Sequence, residues 1–111
     1  MKRKHLYRAN GTPKRIRCYM YKGKDRPIDY ITVVFTYACH AGFPQGSVQY
    51  RAMNENPYHP AYGFCQWGEA WQWNFKAGGS RVNFSDLPED CKEIVRYDYK
   101  SIWEEEDIYC L

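Results

Sequence analysis

The cysteine and histidine side chains are the ones most able to do chemistry in this sequence. Cys39 stands next to His40, and His59 lies close before Cys65 in the stretch NPYHPAYGFCQWGEAWQW, residues 56–73. A thiol beside an imidazole offers a nucleophile and its base. Cys39, His40, His59 and Cys65 would also form a metal donor set if folding brought them together. The spacing argues against both. Strand neighbours point to opposite faces, so the adjacency of Cys39 and His40 is not juxtaposition. The five cysteines, at 18, 39, 65, 91 and 110, include no CxxC pair, unlike zinc ligands, which come in close pairs. Their odd number points to free thiols in a reducing compartment. Cys18, Cys39 and Cys91 are expected to pack as small core hydrophobes. No catalytic residue, metal or cofactor is expected, and the chain reads as a non-enzyme.

Carboxylates add little chemistry. Glu89, Asp90 and Glu93 fall in the first turns of an expected helix, where they complement its dipole, and the Glu104 to Asp107 run reads as a solvated acidic tail. Glu69 differs, being a lone acid among Trp67, Trp71 and Trp73. An aromatic setting could raise its pKa or let it hold a cation. AGGSR, residues 77–81, lacks the lysine and the following helix of a phosphate-binding P-loop.

Two binding surfaces remain. Arg15, Arg17, Tyr19 and Tyr21 would alternate along the outer face of a first strand, where guanidinium groups and rings can hold phosphates and stack bases. The aromatic stretch offers Tyr58, Tyr62, Trp67, Glu69, Trp71 and Trp73 as a protein-contact surface, because large stiff amphipathic side chains lose little entropy on binding. Charge is uneven along the chain. Ten Lys or Arg stand against one Asp up to Ile28, whereas six stand against twelve acids from Asp29 onward, within a net charge of +3. A basic end attracts phosphates, and the acidic end counts against wrapping long duplexes.

The elements that must position these residues belong to one domain. At 111 residues, 44% hydrophobic and 18% aromatic, the chain suffices for a single core and excludes a disordered polyampholyte. No apolar run approaches a membrane span, and the basic N-terminus has no apolar stretch behind it, so a cytoplasmic location is expected. Residues 1–14 read as a basic, loose lead-in, 15–103 as the domain and 104–111 as the acidic tail. RIRCYMYK alternates with Ile16, Cys18 and Met20 on one face; YITVVFTYAC reads as a central strand; SVQYRAM alternates Val48, Tyr50 and Ala52 against Gln49 and Arg51. Prolines and glycines keep the aromatic stretch from fully joining the sheet. A short strand follows at Arg81 to Phe84. In SDLPEDCKEIVRYDYKSIW, Ser85 and Asp86 are expected caps, Pro88 suits the first turn, and Leu87, Cys91, Ile94, Val95, Tyr99, Ile102 and Trp103 recur at helical spacing. The expected fold is α+β, a four- to five-stranded, mainly antiparallel sheet packed against one C-terminal helix.

At DYITVVFTY, MNENPYHPAYGFCQWGE and VNFSDLPEDCKEIVRYDYKSIW the chain resembles a family of small bacteriophage- and prophage-encoded proteins. Members show RYTVVF, then MSxxPFHPQGFGQHGE, then FSDLPEDCxxLVxxDYKxLW. The resemblance runs from about Arg17 to Trp103 and rests in the loop on Asn56, Pro57, His59, Pro60, Gly63, Gln66, Gly68 and Glu69. Trp67 replaces the family's second histidine, which removes a metal or acid/base role there, and AWQWNF is this chain's own. No activity attaches to the family. The resemblance implies a phage accessory protein, acting in the host cytoplasm, that binds and inhibits a host protein, as an anti-defence or anti-CRISPR factor would. The alternative is a small nucleotide- or nucleic-acid-binding domain, and a homodimer stays open.

Overall fold

A computed structural model of the chain describes residues 6–35, 48–70 and 79–105. Five strands, β1 (Ile16–Met20), β2 (Ile31–Phe35), β3 (Val48–Met53), β4 (Cys65–Ala70) and β5 (Ser80–Val82), are followed by a short 3₁₀ turn at Phe84–Asp86 and the helix α1 (Glu89–Lys100). The strands form one antiparallel sheet in the order β4-β3-β2-β1-β5. The fold is α+β, as the residue pattern implies. β-Branched Ile31, Thr32, Val33 and Val34 suit the pleat of β2, and all five residues of that strand are buried.

Register decides which side chains meet the helix. Cys18, Val33, Arg51 and Trp67 lie abreast across four strands, so their face also carries Ile16, Ile31, Phe35, Gln49 and Met53. Against it α1 packs Cys91, Ile94, Val95 and Tyr99 in the main core cluster. Those positions recur at helical spacing and leave a polar outer face. A π-helical turn at Ser101–Glu105 extends α1 and buries Ile102 and Trp103.

Several expectations are revised. Residues 6–14 are no loose lead-in: Lys14 donates to the Leu6 carbonyl (2.8 Å), Arg8 to that of Thr12 (2.8 Å), and Tyr7 bridges Pro13. Leu6 is 1% exposed. Its carbonyl accepts the Tyr99 hydroxyl proton, and that oxygen accepts from the Arg15 amide at 3.1 Å. One tyrosine on α1 therefore ties down both Leu6 and Arg15. The expected caps also move. Asp86 accepts from the Asn83 amide (2.9 Å) and closes the 3₁₀ turn instead, while Pro88, not a side-chain cap, stands at the start of α1. The apolar alternation in SVQYRAM is inverted in space, since Gln49 and Arg51 face the helix and Tyr50 and Ala52 the other side.

Gln49 is 1% exposed, and neither amide atom has a hydrogen-bond partner among the described residues. An unsatisfied buried polar group costs about 1–3 kcal/mol. Gln49→Met keeps the shape and removes that cost, so its thermal midpoint should rise by about 4–8 °C. A fall in the midpoint would contradict this account of the residue.

Candidate functional site

The loop from Asn54 to Phe64 is built on two side chains. Asn54, 6% exposed at the end of β3, accepts from the amides of Asn56 (3.0 Å) and Phe64 (3.1 Å) through Oδ1. Its Nδ2 donates to the Tyr62 carbonyl at 2.7 Å. Its own carbonyl accepts from the Cys91 thiol at 3.2 Å, and burial pushes that thiol up to about 12, so the proton stays on sulfur. His59 makes the second anchor. Its Nδ1 accepts from the amides of Ala61 (3.0 Å) and Tyr62 (2.9 Å), which requires the tautomer with its proton on Nε2. The chain turns so tightly that a Cβ on Gly63 would lie 2.2 Å from the Asn56 carbonyl oxygen and 2.3 Å from that of His59.

With its polar groups turned inward, the loop presents tyrosines outward. Tyr58 and Tyr62 are 57% and 73% exposed. The Tyr58 hydroxyl donates to Glu93 of α1 at 2.9 Å, an interaction that pushes its pKa up to about 12. The Tyr62 ring packs on the His59 imidazole, with centroids 4.7 Å apart. From α1, Tyr97 stands 70% exposed.

Between the loop and α1 lies a groove of about 320 Å³, lined by Tyr58, Cys65, Glu93, Ile94 and Tyr97 over Arg51 and Asp98. Arg51 donates Nε to Asp98 Oδ2 (2.8 Å) and Nη2 to Oδ1 (2.7 Å), a bidentate fork between sheet and helix. Its guanidinium also lies 5.2 Å from the Trp67 ring, which packs on Phe35. Burial alone would lower the Arg51 pKa, but Asp98 more than offsets this and holds it above the ordinary value. At Cys65, partial desolvation outweighs the neighbouring guanidinium and raises the thiol pKa. Thiolates, not thiols, attack, so this shift makes Cys65 a poorer nucleophile than an unperturbed thiol.

The expected residues are dispersed by the structure. Tyr58 lines the groove and Tyr62 shares its loop. Trp67 is half-buried in β4, not on a loop, and backs Arg51; Glu69 is opposite Gln49 in the register of the same strand. Within β4, Gly68 leaves room for the Tyr50 ring, which would be 2.5 Å from a Cβ there. Trp71, Trp73, Cys39 and His40 lie outside the described residues. His59 does not pair with Cys65 as a base, since its Nδ1 serves the loop. Among the described residues no cluster of three His, Cys, Asp or Glu could hold a metal.

The basic strand face is not one open surface. Tyr19 is 5% exposed, because β1 is an interior strand and its face opposite α1 also buries Thr32, Val34 and Ala52. Tyr21, 41% exposed, lies beyond the strand, and the Arg15 guanidinium sits 5.0 Å from the Trp103 ring. Missed by sequence reading were Asn54, Arg51, Asp98 and Tyr97. Asp98 had a signal: it falls on the apolar stripe, four residues after Ile94 and next to Tyr99.

Comparisons with protein-family models, curated proteins and solved structures find no match to this chain. No helix among the described residues is long and apolar enough to cross a membrane.

Gly63→Ala should force the two carbonyls away from the new methyl and open the loop. Urea unfolding should show a loss of about 2–3 kcal/mol, the scale of overpacking at a site that cannot relax. A loss below about 0.5 kcal/mol, the level of a neutral surface change, would mean that the loop is not held as described.

Proposed function

We propose that this chain is a protein-binding module that contacts its partner through the tyrosine-flanked groove and the neighbouring edge of the sheet. The carrying observation is the exposure of Tyr58, Tyr62 and Tyr97 at 57%, 73% and 70%, with two of the three lining one groove over a satisfied ion pair. Exposed tyrosines on a framework that is already ordered contribute contact area at low entropic cost. The Arg51–Asp98 fork presents no net charge, which suits a partner surface of mixed polarity over a polyanion. Beside it β4 ends the sheet, paired to β3 alone among the described residues, and an edge strand offers its peptide groups to an added strand.

The resemblance to small phage and prophage proteins supports a host protein as the partner and inhibition as the outcome, with an anti-defence or anti-CRISPR role as its specific form. Trp71 and Trp73 belong to the proposal on sequence grounds alone. The runner-up, nucleic-acid binding by Arg15, Arg17, Tyr19 and Tyr21, is weakened by the burial of Tyr19.

The test is affinity capture of host proteins on the immobilised chain, comparing wild type with Tyr58→Ala/Tyr97→Ala. One stoichiometric host protein should be retained by the wild type and lost from the variant by at least about tenfold, the loss of hot-spot residues. Equal capture by both chains, with the variant folded, would exclude the groove as the contact surface.

A further inference from the structure

On another part of the molecule, strand β5 stops too early to cover β1. Its last residue, Val82, pairs with Cys18, so Ile16 has a strand partner only on its β2 side among the described residues. The chain leaves through Asn83 into the 3₁₀ turn, and the N-terminal hairpin closes the gap from the far side. What remains is a cavity of about 330 Å³, within the size range of small-molecule sites.

Its lining is divided by chemistry. Arg8 and Arg81 bring the positive charge, and Asn10, Thr12, Asn83 and Ser85 add neutral hydrogen-bonding groups. Pro13, Ile16, Val82 and Phe84 form an apolar wall. No carboxylate among the described residues lines the cavity. Asp86, whose charge also reaches the Cys18 thiol, accepts from the Asn83 amide. Arg8 and Arg81 have no carboxylate partner among the described residues; Arg81 lies 6.0 Å from the Tyr19 ring, and its charge is felt at the Cys18 thiol in the cavity wall. The hairpin carrying Arg8 is held by its own backbone, with Gly11 donating to the Arg8 carbonyl (2.9 Å) and Asn10 Oδ1 accepting from the Thr12 amide (3.0 Å).

Two guanidinium groups with no carboxylate partner among the described residues are suited to an oxyanion, while an apolar wall suits a flat organic body. We infer that this cavity binds a phosphate monoester carrying an aromatic or apolar group, of the size of a mononucleotide, between Arg8 and Arg81. This site is separate from the tyrosine groove, and it draws on Arg81, which lies abreast of Tyr19 in the register, together with Arg8 of the hairpin. The surrounding sequence favours such a ligand, since the first 28 residues hold ten Lys or Arg and one acid.

Isothermal titration of the full chain with adenosine monophosphate, adenosine and inorganic phosphate tests the inference. The monophosphate should bind saturably, and each of the two fragments at least tenfold more weakly, because each makes only half the contacts. Arg8→Ala and Arg81→Ala should each weaken binding by about tenfold or more, the loss of a charge-assisted hydrogen bond. Arg26→Ala, whose guanidinium lies over the Tyr30 ring instead, should leave affinity unchanged. Circular dichroism verifies folding, and Arg8 on its exposed hairpin keeps the test decisive should the Arg81 variant fail to fold. No saturable binding up to about 10 mM, equal binding of inorganic phosphate and monophosphate, or unchanged affinity in Arg8→Ala would each overturn the proposal.

Discussion

The side-chain amide of Asn54 is the interaction on which the exposed half of this protein depends. It is buried at the point where β3 ends, and its oxygen and nitrogen bind three backbone groups of the loop that follows. Water has little access there, so a lost bond would leave a desolvated polar group unpaired, at a cost well above the net worth of the bond when made. The adjoining carbonyl is held by Cys91. Strand, loop and helix consequently meet at one residue. His59 repeats the device further along, replacing water at two amides with an imidazole nitrogen. The outward tyrosines are a by-product of this inward polarity, since a loop that satisfies its backbone internally is free to spend its side chains on the surface.

A second constraint couples sheet and helix. Arg51 and Asp98 occupy positions that would otherwise be apolar, and each satisfies the other with a bidentate geometry. A buried pair of this kind contributes little net stability but is costly to break from one side, and fixing the register of packed elements is its best attested use. Gln49, one pleat away on the same face, has no such partner among the described residues. The contrast suggests that polarity on this face is kept for placement, with Arg51 setting where α1 lies and thereby where Tyr97 meets Tyr58 across the groove.

Much of the framework was legible in the residues. The period of Cys91, Ile94, Val95, Tyr99 and Ile102 identifies α1 and its buried stripe, and the β-branched run of β2 identifies the sheet's middle. Local signals suffice there because one face or one whole strand is buried. They fail where tertiary context decides. β4 was hidden by the prolines and glycines before it and by its aromatic content, although pairing with β3 overrides both. Tyr19 follows a half-buried alternation that cannot tell an interior strand, covered on both sides, from an edge strand. Residues 6–14 have no periodicity, and it is tertiary contact, the burial of Leu6 and the bond of its carbonyl to the Tyr99 hydroxyl 93 positions away, that makes them part of the core. Of the candidate site, the shaped loop and the structural place of His59 could be read from its Pro, Gly and His content; the Arg51–Asp98 floor, from two elements far apart in sequence, could not.

The account rests on the Asn54 loop being fixed before any partner arrives, since a preformed surface avoids the ordering cost of binding. Amide hydrogen exchange of the free protein, followed by nuclear magnetic resonance, measures this directly. Ala61, Tyr62 and Phe64 should be protected by their side-chain acceptors, Nδ1 of His59 and Oδ1 of Asn54, in spite of the exposure of Ala61 and Tyr62. Exchange of these three amides at the rate of an unstructured chain, with the β2 amides still protected, would show a loop that orders only on binding and would contradict the central claim.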